Sequence, residues 1–226
     1  MARKLSAEVV RRRQVQWLLL PIVIVTIALG WKYPFLGYSV PIVMLTGMTM
    51  GAFKGRYICG KYCPRGGFAD RLVSMISPKK PISQFLMGMQ FRLIIFAALM
   101  SFLTFRMINK PVPLDWASHI GKVFWFMCVV TTSIDVLLGL AIHQRTWCAF
   151  CPIGTVGHLA GKGKFLFQID KDKCKECMIC EKACPMTLEI VKFKPVGKLI
   201  NPDCIKCGEC VGACPTRALS LPLASG

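Results

Sequence analysis

One cysteine spacing, C-x2-C-x2-C-x3-C-P, occurs twice in the last third of the chain. Its two copies are Cys174, Cys177, Cys180, Cys184 and Pro185, and Cys204, Cys207, Cys210, Cys214 and Pro215. Two-residue gaps let a tight loop aim successive sulfurs inward, and this is a spacing that ligates [4Fe–4S] clusters. The sequence therefore predicts two such clusters and limits this region to a small fold wrapped around them.

When two such runs hold two clusters, the fourth cysteine of each run ligates the other cluster. On that pattern one cluster is held by Cys174, Cys177, Cys180 and Cys214, and the other by Cys204, Cys207, Cys210 and Cys184. Strand-like segments precede both runs, at residues 167–170 and 198–201, and we expect a short helix after each Cys-Pro. The segment 165–223 resembles a bacterial-type ferredoxin with two clusters. A structural zinc module is the alternative, since C-x2-C pairs also bind zinc.

Four apolar stretches explain a mean hydropathy of +0.51 in a chain with 29 lysines and arginines. They are residues 15–31, 39–53, 91–108 and 123–142. Each is close to the length of a helix that spans a bilayer, the second being the shortest. We therefore expect a four-span membrane domain over residues 1–164 and a ferredoxin domain over residues 165–226.

The formal net charge of +18 invites a nucleic-acid partner, but its distribution argues against one. Residues 170–226 hold nine Lys or Arg and seven Asp or Glu, so the excess lies in the apolar part. There, five basic residues fall in 1–14, seven in 54–85 and three in 143–169, against Lys32 in one opposite loop and Lys110 and Lys122 in the other.

The positive-inside rule then predicts a multi-pass protein of a bacterial or archaeal inner (cytoplasmic) membrane, with both termini in the cytoplasm. Reducing conditions on that side favour metal ligation over disulfides for the 13 cysteines. Arg92, near one end of the third stretch, is expected to extend to the membrane interface.

Two further cysteine pairs follow the second and the fourth apolar stretch. They are Cys59 and Cys63 after Arg56, and Cys148 and Cys151 after Arg145, and both segments read R-x-x-C-x(2 or 3)-C-P-x-G. The membrane part is therefore predicted to be a two-fold repeat of two spans, a cysteine pair and a short amphipathic helix.

Packed about a pseudo-twofold axis, these four cysteines would form one site for a third iron–sulfur or other thiolate-bound metal centre. The two arginines would lower the thiol pKa values there. Redox-active dithiol pairs and purely structural cysteines are the alternatives.

Four spans, two membrane-edge Cys-Pro motifs and a C-terminal double-cluster segment together resemble the NapH-type membrane polyferredoxins. The methylamine-utilisation ferredoxin and the membrane core of the nitrous oxide reductase regulator are similar. The resemblance covers nearly the whole chain and implies a quinol dehydrogenase component. It implies a mainly α membrane protein, with four transmembrane helices in a two-fold repeat and a C-terminal α+β ferredoxin domain. The expected partners are membrane lipid, quinone and the redox proteins of a multi-subunit complex.

Two titratable residues are candidates for a quinone site or a proton path. Asp135 lies well inside the fourth stretch, where a carboxylate is costly and by default a functional candidate. A buried pair with a basic or a hydroxyl partner is the alternative, and Thr131 and Thr132 lie one helical turn away. His143, at the cytoplasmic end of the same stretch, has a side chain whose ordinary pKa suits accepting a quinol proton.

The sequence thus predicts a membrane-anchored carrier that relays electrons between the quinone pool, or a membrane partner, and a redox enzyme. Two other functions remain open. One is a maturation factor that reduces a metal such as copper for an oxidase, and the other is a redox sensor or regulator.

Overall fold

The computed structural model describes residues 7–109 and 115–220, and most of these residues are helical. Within those residues, four helical segments are long and apolar enough to cross a membrane. They are α1 (Ala7–Leu29), α2 (Ser39–Lys54) with a 3-10 turn before it at Pro34–Tyr38, and two longer helices that follow. We label the later pair α6 (Met89–Ile108) and α7 (Trp116–Ala141).

Both α1 and α7 begin earlier than their apolar stretches predict, at Ala7 and Trp116 rather than at residues 15 and 123. An apolar stretch ends at the first polar residues, but the helix continues through them wherever they find partners. Arg12 is such a residue, because it is buried and ion-paired inside the protein. The polar first turns therefore belong to the helices.

Short helices follow α2 and α7 at the same end of the bundle. After α2 come α3 (Tyr57–Lys61) and α4 (Pro64–Arg71), and α5 (Gln84–Met87) precedes α6. After α7 come α8 (Thr146–Phe150) and α9 (Pro152–Ala160). Pro64 and Pro152 begin their helices because the first helical position needs no N–H donor and suits the fixed φ of proline.

Two of the short helices pack along the spans of the first half, α4 along α1 and α9 along α2. Gly51 makes the second contact possible, since a Cβ there would lie 3.3 Å from the Cα of Gly157. Small residues allow such close helix approach. The short helices are thus held against the spans rather than projecting from them.

The C-terminal segment contains the two-stranded antiparallel sheet of β1 (Gln168–Ile169) and β2 (Leu219–Ser220). The strand expected at residues 198–201 contributes only one bridge, from Lys198 to Gln168. Ile169 and Leu219 face each other in the register and are both buried. Because this apolar pair is buried, the strand that pairs with β1 is β2, near the end of the chain, and not the segment 198–201.

The α-helices of this segment, α10 (Ile179–Lys182) and α11 (Glu209–Ala213), lie before each Cys-Pro. A short 3-10 helix (Val191–Phe193) follows the first Cys-Pro, as expected, but the described residues after the second continue into β2, so the expectation is wrong there. Each α-helix starts from a left-handed residue, Met178 at φ 56° and Gly208 at φ 81°. That conformation turns the ligand loop directly into a helix after its second cysteine, and the third cysteine is carried on the helix. The Cys-Pro then ends it.

The main hydrophobic core joins the helical part to the C-terminal segment. Trp147 and Phe150 of α8 pack with Phe167, Met186 and Leu199, and all five are almost fully buried. Burying such side chains stabilises a fold by about 1.5–3 kcal/mol each. The C-terminal segment is therefore attached by a shared core and not only by its linker.

Candidate iron–sulfur sites

The eight cysteines of the doubled run line two separate cavities. Site A is lined by Cys174, Cys177, Cys180 and Cys214, and site B by Cys184, Cys204, Cys207 and Cys210. Each site thus takes three cysteines from one run and the fourth from the other. The remaining walls are mainly apolar, with Ile190 in both cavities.

The cysteines are spaced for an object larger than one ion. Within residues 7–109 and 115–220, no three His, Cys, Asp or Glu side chains come together closely enough to chelate a single metal ion. A tetrahedral zinc site with Zn–S bonds of about 2.3 Å needs sulfurs less than about 4 Å apart. The described cysteines therefore do not form the tight group that one zinc ion needs, and the doubled run has the spacing that ligates [4Fe–4S] clusters.

The membrane-edge cysteines form a third group, site C. Cys59, Cys63, Cys148 and Cys151 line one cavity of about 150 Å³ together. The pairs differ by one residue in spacing, yet α3 and α8 bring all four to the same space. The cavity continues between the spans along apolar side chains that include Val43, Leu103, Phe124 and Met127.

Two buried arginines connect the halves of site C reciprocally. Arg145 donates to the carbonyl oxygen of Cys59 (3.0 Å) and to Sγ of Cys148 (3.4 Å). Arg56 donates to the carbonyl oxygen of Cys148. Each guanidinium occupies the space beside the glycine of the opposite motif, so that a Cβ on Gly66 would lie 2.6 Å from Arg145 and one on Gly154 2.8 Å from Arg56.

The arginines do not produce low thiol pKa values. Burial raises the pKa values of Cys59, Cys63 and Cys148 to about 11, although Arg145 opposes this at all three and Arg56 also does so at Cys59. The expectation from sequence is wrong in its net direction because burial outweighs the nearby positive charge. These thiols are therefore protonated at neutral pH, and a metal bound at site C would have to displace their protons.

Two buried carboxylates hold the cationic groups around site C. Asp70 accepts two hydrogen bonds from Arg145 (2.8 and 2.7 Å) and one from Gln16 (2.9 Å). It also forms an ion pair with Arg12. Burial alone would raise the pKa of Asp70, but Arg145 and then Arg12 outweigh it and lower the pKa to about 2.

Asp203, next to Cys204 of site B, is the second of these carboxylates. Its Oδ1 atom lies 2.9 Å from Arg56, 2.8 Å from Arg92 and 2.9 Å from His158. Arg92 is fully buried in this contact. A carboxylate of the C-terminal segment is therefore its partner, at the start of α6, and its extension to the membrane interface stays a prediction.

The comparisons with known proteins agree with this cysteine content. A family model described as a 4Fe-4S dicluster domain matches residues 166–217, and one described as a 4Fe-4S binding domain matches residues 36–83 and again 123–170. The ferredoxin-type protein NapH of Haemophilus influenzae is 31% identical over 107 residues, which are 43% of this chain and 35% of NapH. The ferredoxin of Methanothermococcus thermolithotrophicus is 42% identical over 55 residues, which are 24% of this chain and 92% of that ferredoxin.

The chain belongs to the NapH-type polyferredoxin family. An uncharacterised protein of Methanocaldococcus jannaschii is 26% identical over 185 residues, 79% of this polyferredoxin and 69% of that protein. No solved structure gives a significant match. The polyferredoxin is an iron–sulfur electron-transfer protein with four helices suited to cross a membrane.

Asp135 of the polyferredoxin lies in α7 and is 2% exposed. Neither of its carboxylate oxygens has a hydrogen-bond partner within the described residues. The alternative of a hydrogen bond with Thr131 does not form, since Thr131 accepts from Arg65 (2.6 Å) and donates to the carbonyl oxygen of Met127 (2.6 Å). An unpaired buried carboxylate is costly and points to function or bound water.

His143 is buried beside site C without lining its cavity. Its Nδ1 atom accepts from the backbone N–H of Arg145 (3.3 Å). Burial lowers the pKa of His143 to about 4, with Arg145 and Lys79 acting in the same direction and Asp70 opposing them. The ring is therefore neutral at neutral pH.

Sequence reasoning missed Asp70, Asp203 and Glu209 as site residues. Glu209 receives Arg12 (2.6 Å) and Arg13 (3.3 Å). The internal repeat offered one signal for Asp70. This residue follows Cys63-Pro64 at the same distance at which His158 follows Cys151-Pro152. No such signal marks the two acidic residues of the ferredoxin run, because their partners lie in distant helices.

Proposed function

We propose that this polyferredoxin is a membrane-anchored relay for electrons between quinone and a cytoplasmic redox enzyme, with sites A, B and C as its redox centres. One observation carries the proposal: an apolar cavity between the spans ends at the four cysteines of site C. A bound [4Fe–4S] cluster supplies a centre that can be reduced and reoxidised. The direction of electron flow follows from the cluster potentials, and either direction suits this arrangement.

Two [4Fe–4S] clusters are assigned to sites A and B, and a third iron–sulfur centre to site C. The grouping of four cysteines around one cavity in each site supports all three assignments. The repeated 4Fe-4S binding match over residues 36–83 and 123–170 further supports a centre at site C. The same repeat and the reciprocal arginine contacts support a two-fold repeat in residues 1–164, followed by a ferredoxin domain in residues 165–226.

The cavity above site C fits a quinone by its chemistry. Its walls are almost entirely apolar, as a lipid-soluble tail requires, and its polar groups are few. Arg65 and Thr131 line it near the cysteines and offer a hydrogen-bonding end for a head group. Oxidation of a quinol releases two electrons and two protons, and Asp135 and His143 are the nearby groups proposed to take up or pass on protons.

The proposed location is the inner membrane with both termini in the cytoplasm. The positive-inside distribution supports this orientation, as does the grouping of all three sites at one end of the bundle. The partners are membrane lipid and redox proteins of a larger complex.

Iron counting tests the centres independently of the substrate. Anaerobically purified protein is expected to contain twelve irons per chain if three cubanes are present. Replacing Cys59 and Cys148 by Ser is expected to reduce this to eight, while Cys128→Ser, which also lines the cavity, leaves twelve. Eight irons in both the parent and the double variant would refute a cluster at site C.

An EPR-monitored assay tests the quinone. Ubiquinol or menaquinol analogues are expected to reduce the clusters, or the corresponding quinones to oxidise dithionite-reduced clusters. Clusters inert to both, with rapid copper(II) reduction instead, would refute the quinone proposal and favour the maturation function.

A further inference from the structure

We propose that site B exchanges electrons with site C, and that site A is the outer centre at which an acidic one-electron carrier protein binds. The binding surface consists of Cys177, Met178 and Ile179 with the lysines beside them. This order of centres rests on the proposed relay function, but not on quinone as the membrane substrate.

The ligand loop of site B is pressed against site C. A Cβ on Gly60, the residue after Cys59, would collide with the carbonyl oxygen of Ile205 in that loop. Such close backbone approach needs glycine. Cys207 of site B is also within electrostatic range of Arg12 and Asp70, and Asp70 binds the arginine that donates to Cys148.

Ion pairs on both sides hold the loop in that place. Asp203, just before its first cysteine, receives Arg56 and Arg92, and Glu209, just before its third, receives Arg12 and Arg13. Asp203 is 7% exposed. The loop of site B is therefore enclosed by the helical part and leaves no room there for a soluble partner.

The equivalent loop of site A has none of these contacts. Lys173 and Ile179 stand where Asp203 and Glu209 stand in the other loop, and they are exposed. Cys177 is an exposed ligand cysteine, and Met178 beside it is 54% exposed. The two copies of the cysteine run thus differ: the ligand loop of site B is anchored to the helical part, and the ligand loop of site A is exposed to solvent.

The charge beside the free loop selects the partner. Lys171, Lys175 and Lys182 are exposed, and no ion pair involves them within the described residues. The neighbouring Glu176 is paired with Lys194 (2.7 Å), and Glu181 accepts from the backbone N–H of Val191 (2.8 Å). The unpaired charge around Cys177 is therefore mainly positive, which steers an acidic partner to this edge.

The electron balance is simple at this surface. Each encounter moves one electron between site A and the carrier, so that one is oxidised as the other is reduced, with no bond formed or broken. An acidic flavodoxin is a suitable protein probe, and ferricyanide and hexaamminecobalt(III) are small oxidants of opposite charge.

The first experiment locates the clusters by EPR on dithionite-reduced holoprotein. A soluble dysprosium(III) chelate is expected to speed the relaxation of one cluster signal and leave the others unchanged. Lys175→Glu is expected to lower the midpoint potential of that same signal only. Equal relaxation of the two ferredoxin signals, or relaxation of the signal that Lys175→Glu does not shift, would overturn the order.

The second experiment measures the rate of reoxidation by each probe in stopped flow. Lys175→Glu/Lys182→Glu is expected to slow flavodoxin and ferricyanide by roughly tenfold at low ionic strength and to speed hexaamminecobalt(III). The control Lys80→Glu/Lys162→Glu has the same net charge and is expected to keep the parent rates. Lys182 lies outside the ligand loop, so Lys182→Glu alone provides the same test if the double variant contains less iron.

Equal rates in the charge-reversed variant and the control would refute the binding surface. Because dithionite supplies the electrons, these results do not depend on quinol. If quinol does not reduce the clusters but these two experiments give the expected order of sites, quinone is refuted as the substrate and this proposal stands.

Discussion

Asp70 is the residue whose removal should damage site C most without touching a cysteine. It is the common acceptor for Arg145, Arg12 and Gln16, and its side chain is buried. Asp70→Ala leaves the buried guanidinium of Arg145 without its carboxylate and removes one of the two carboxylates that pair with Arg12. Removing one partner of a buried ion pair typically costs about 3–5 kcal/mol, because an uncompensated charge remains.

The pKa of Asp70 gives a second magnitude for the same contact. A lowering of the pKa from 3.8 to about 2 corresponds to roughly 2–3 kcal/mol. The folded-state pKa is the lower one, so this stabilisation is fully present above pH 3.8 and is lost as the pH falls towards 2. Truncation should cost more than protonation, since it also removes the hydrogen-bond acceptors.

The assay is thermal stability in detergent, followed by size-exclusion chromatography of the anaerobic holoprotein with iron counting. A loss of about 3–5 kcal/mol corresponds to a Tm lower by roughly 6–20 °C for a chain of this size. We also expect site C to lose its metal first, because Arg145 no longer holds Cys59 and Cys148 together. The exposed Asp172→Ala is the matched control. An Asp70→Ala protein with the Tm and iron content of that control would refute the reasoning.

Three further predictions follow from other contacts. Gly66→Ala should lower stability by about 1–3 kcal/mol through overpacking, because its Cβ meets the pinned Arg145 guanidinium at 2.6 Å; an unchanged Tm would contradict this. Asp203→Asn should release the ferredoxin segment and speed trypsin cleavage at Lys162 and Lys164, whereas the exposed Asp172→Asn should not. Asp135→Asn should slow quinol-dependent cluster reduction at least about tenfold while dithionite reduction and cluster potentials stay the same, since only proton release is affected; equal slowing with both reductants would assign Asp135 a structural role.

The sequence predicted the parts of this protein that depend on neighbouring residues. The spacing of Cys174, Cys177 and Cys180 is a local property, because two-residue gaps impose a tight loop whatever surrounds it. The apolar runs likewise indicate spans, since a helix satisfies its own backbone hydrogen bonds within the segment. Both signals lie within a few turns of chain and can be read directly.

The tertiary structure decided what meets across long separations. Arg145 and Asp70 are 75 residues apart, and Arg56 and Asp203 are 147 apart. Each arginine has several carboxylates of equal chemistry to choose from, so the sequence does not indicate which of them it pairs with. The same holds for the two copies of the cysteine run. Their ligand spacing is identical, and the packing of Ile205 against Gly60, with the ion pairs of Asp203 and Glu209, encloses one copy and leaves Cys177 of the other facing solvent.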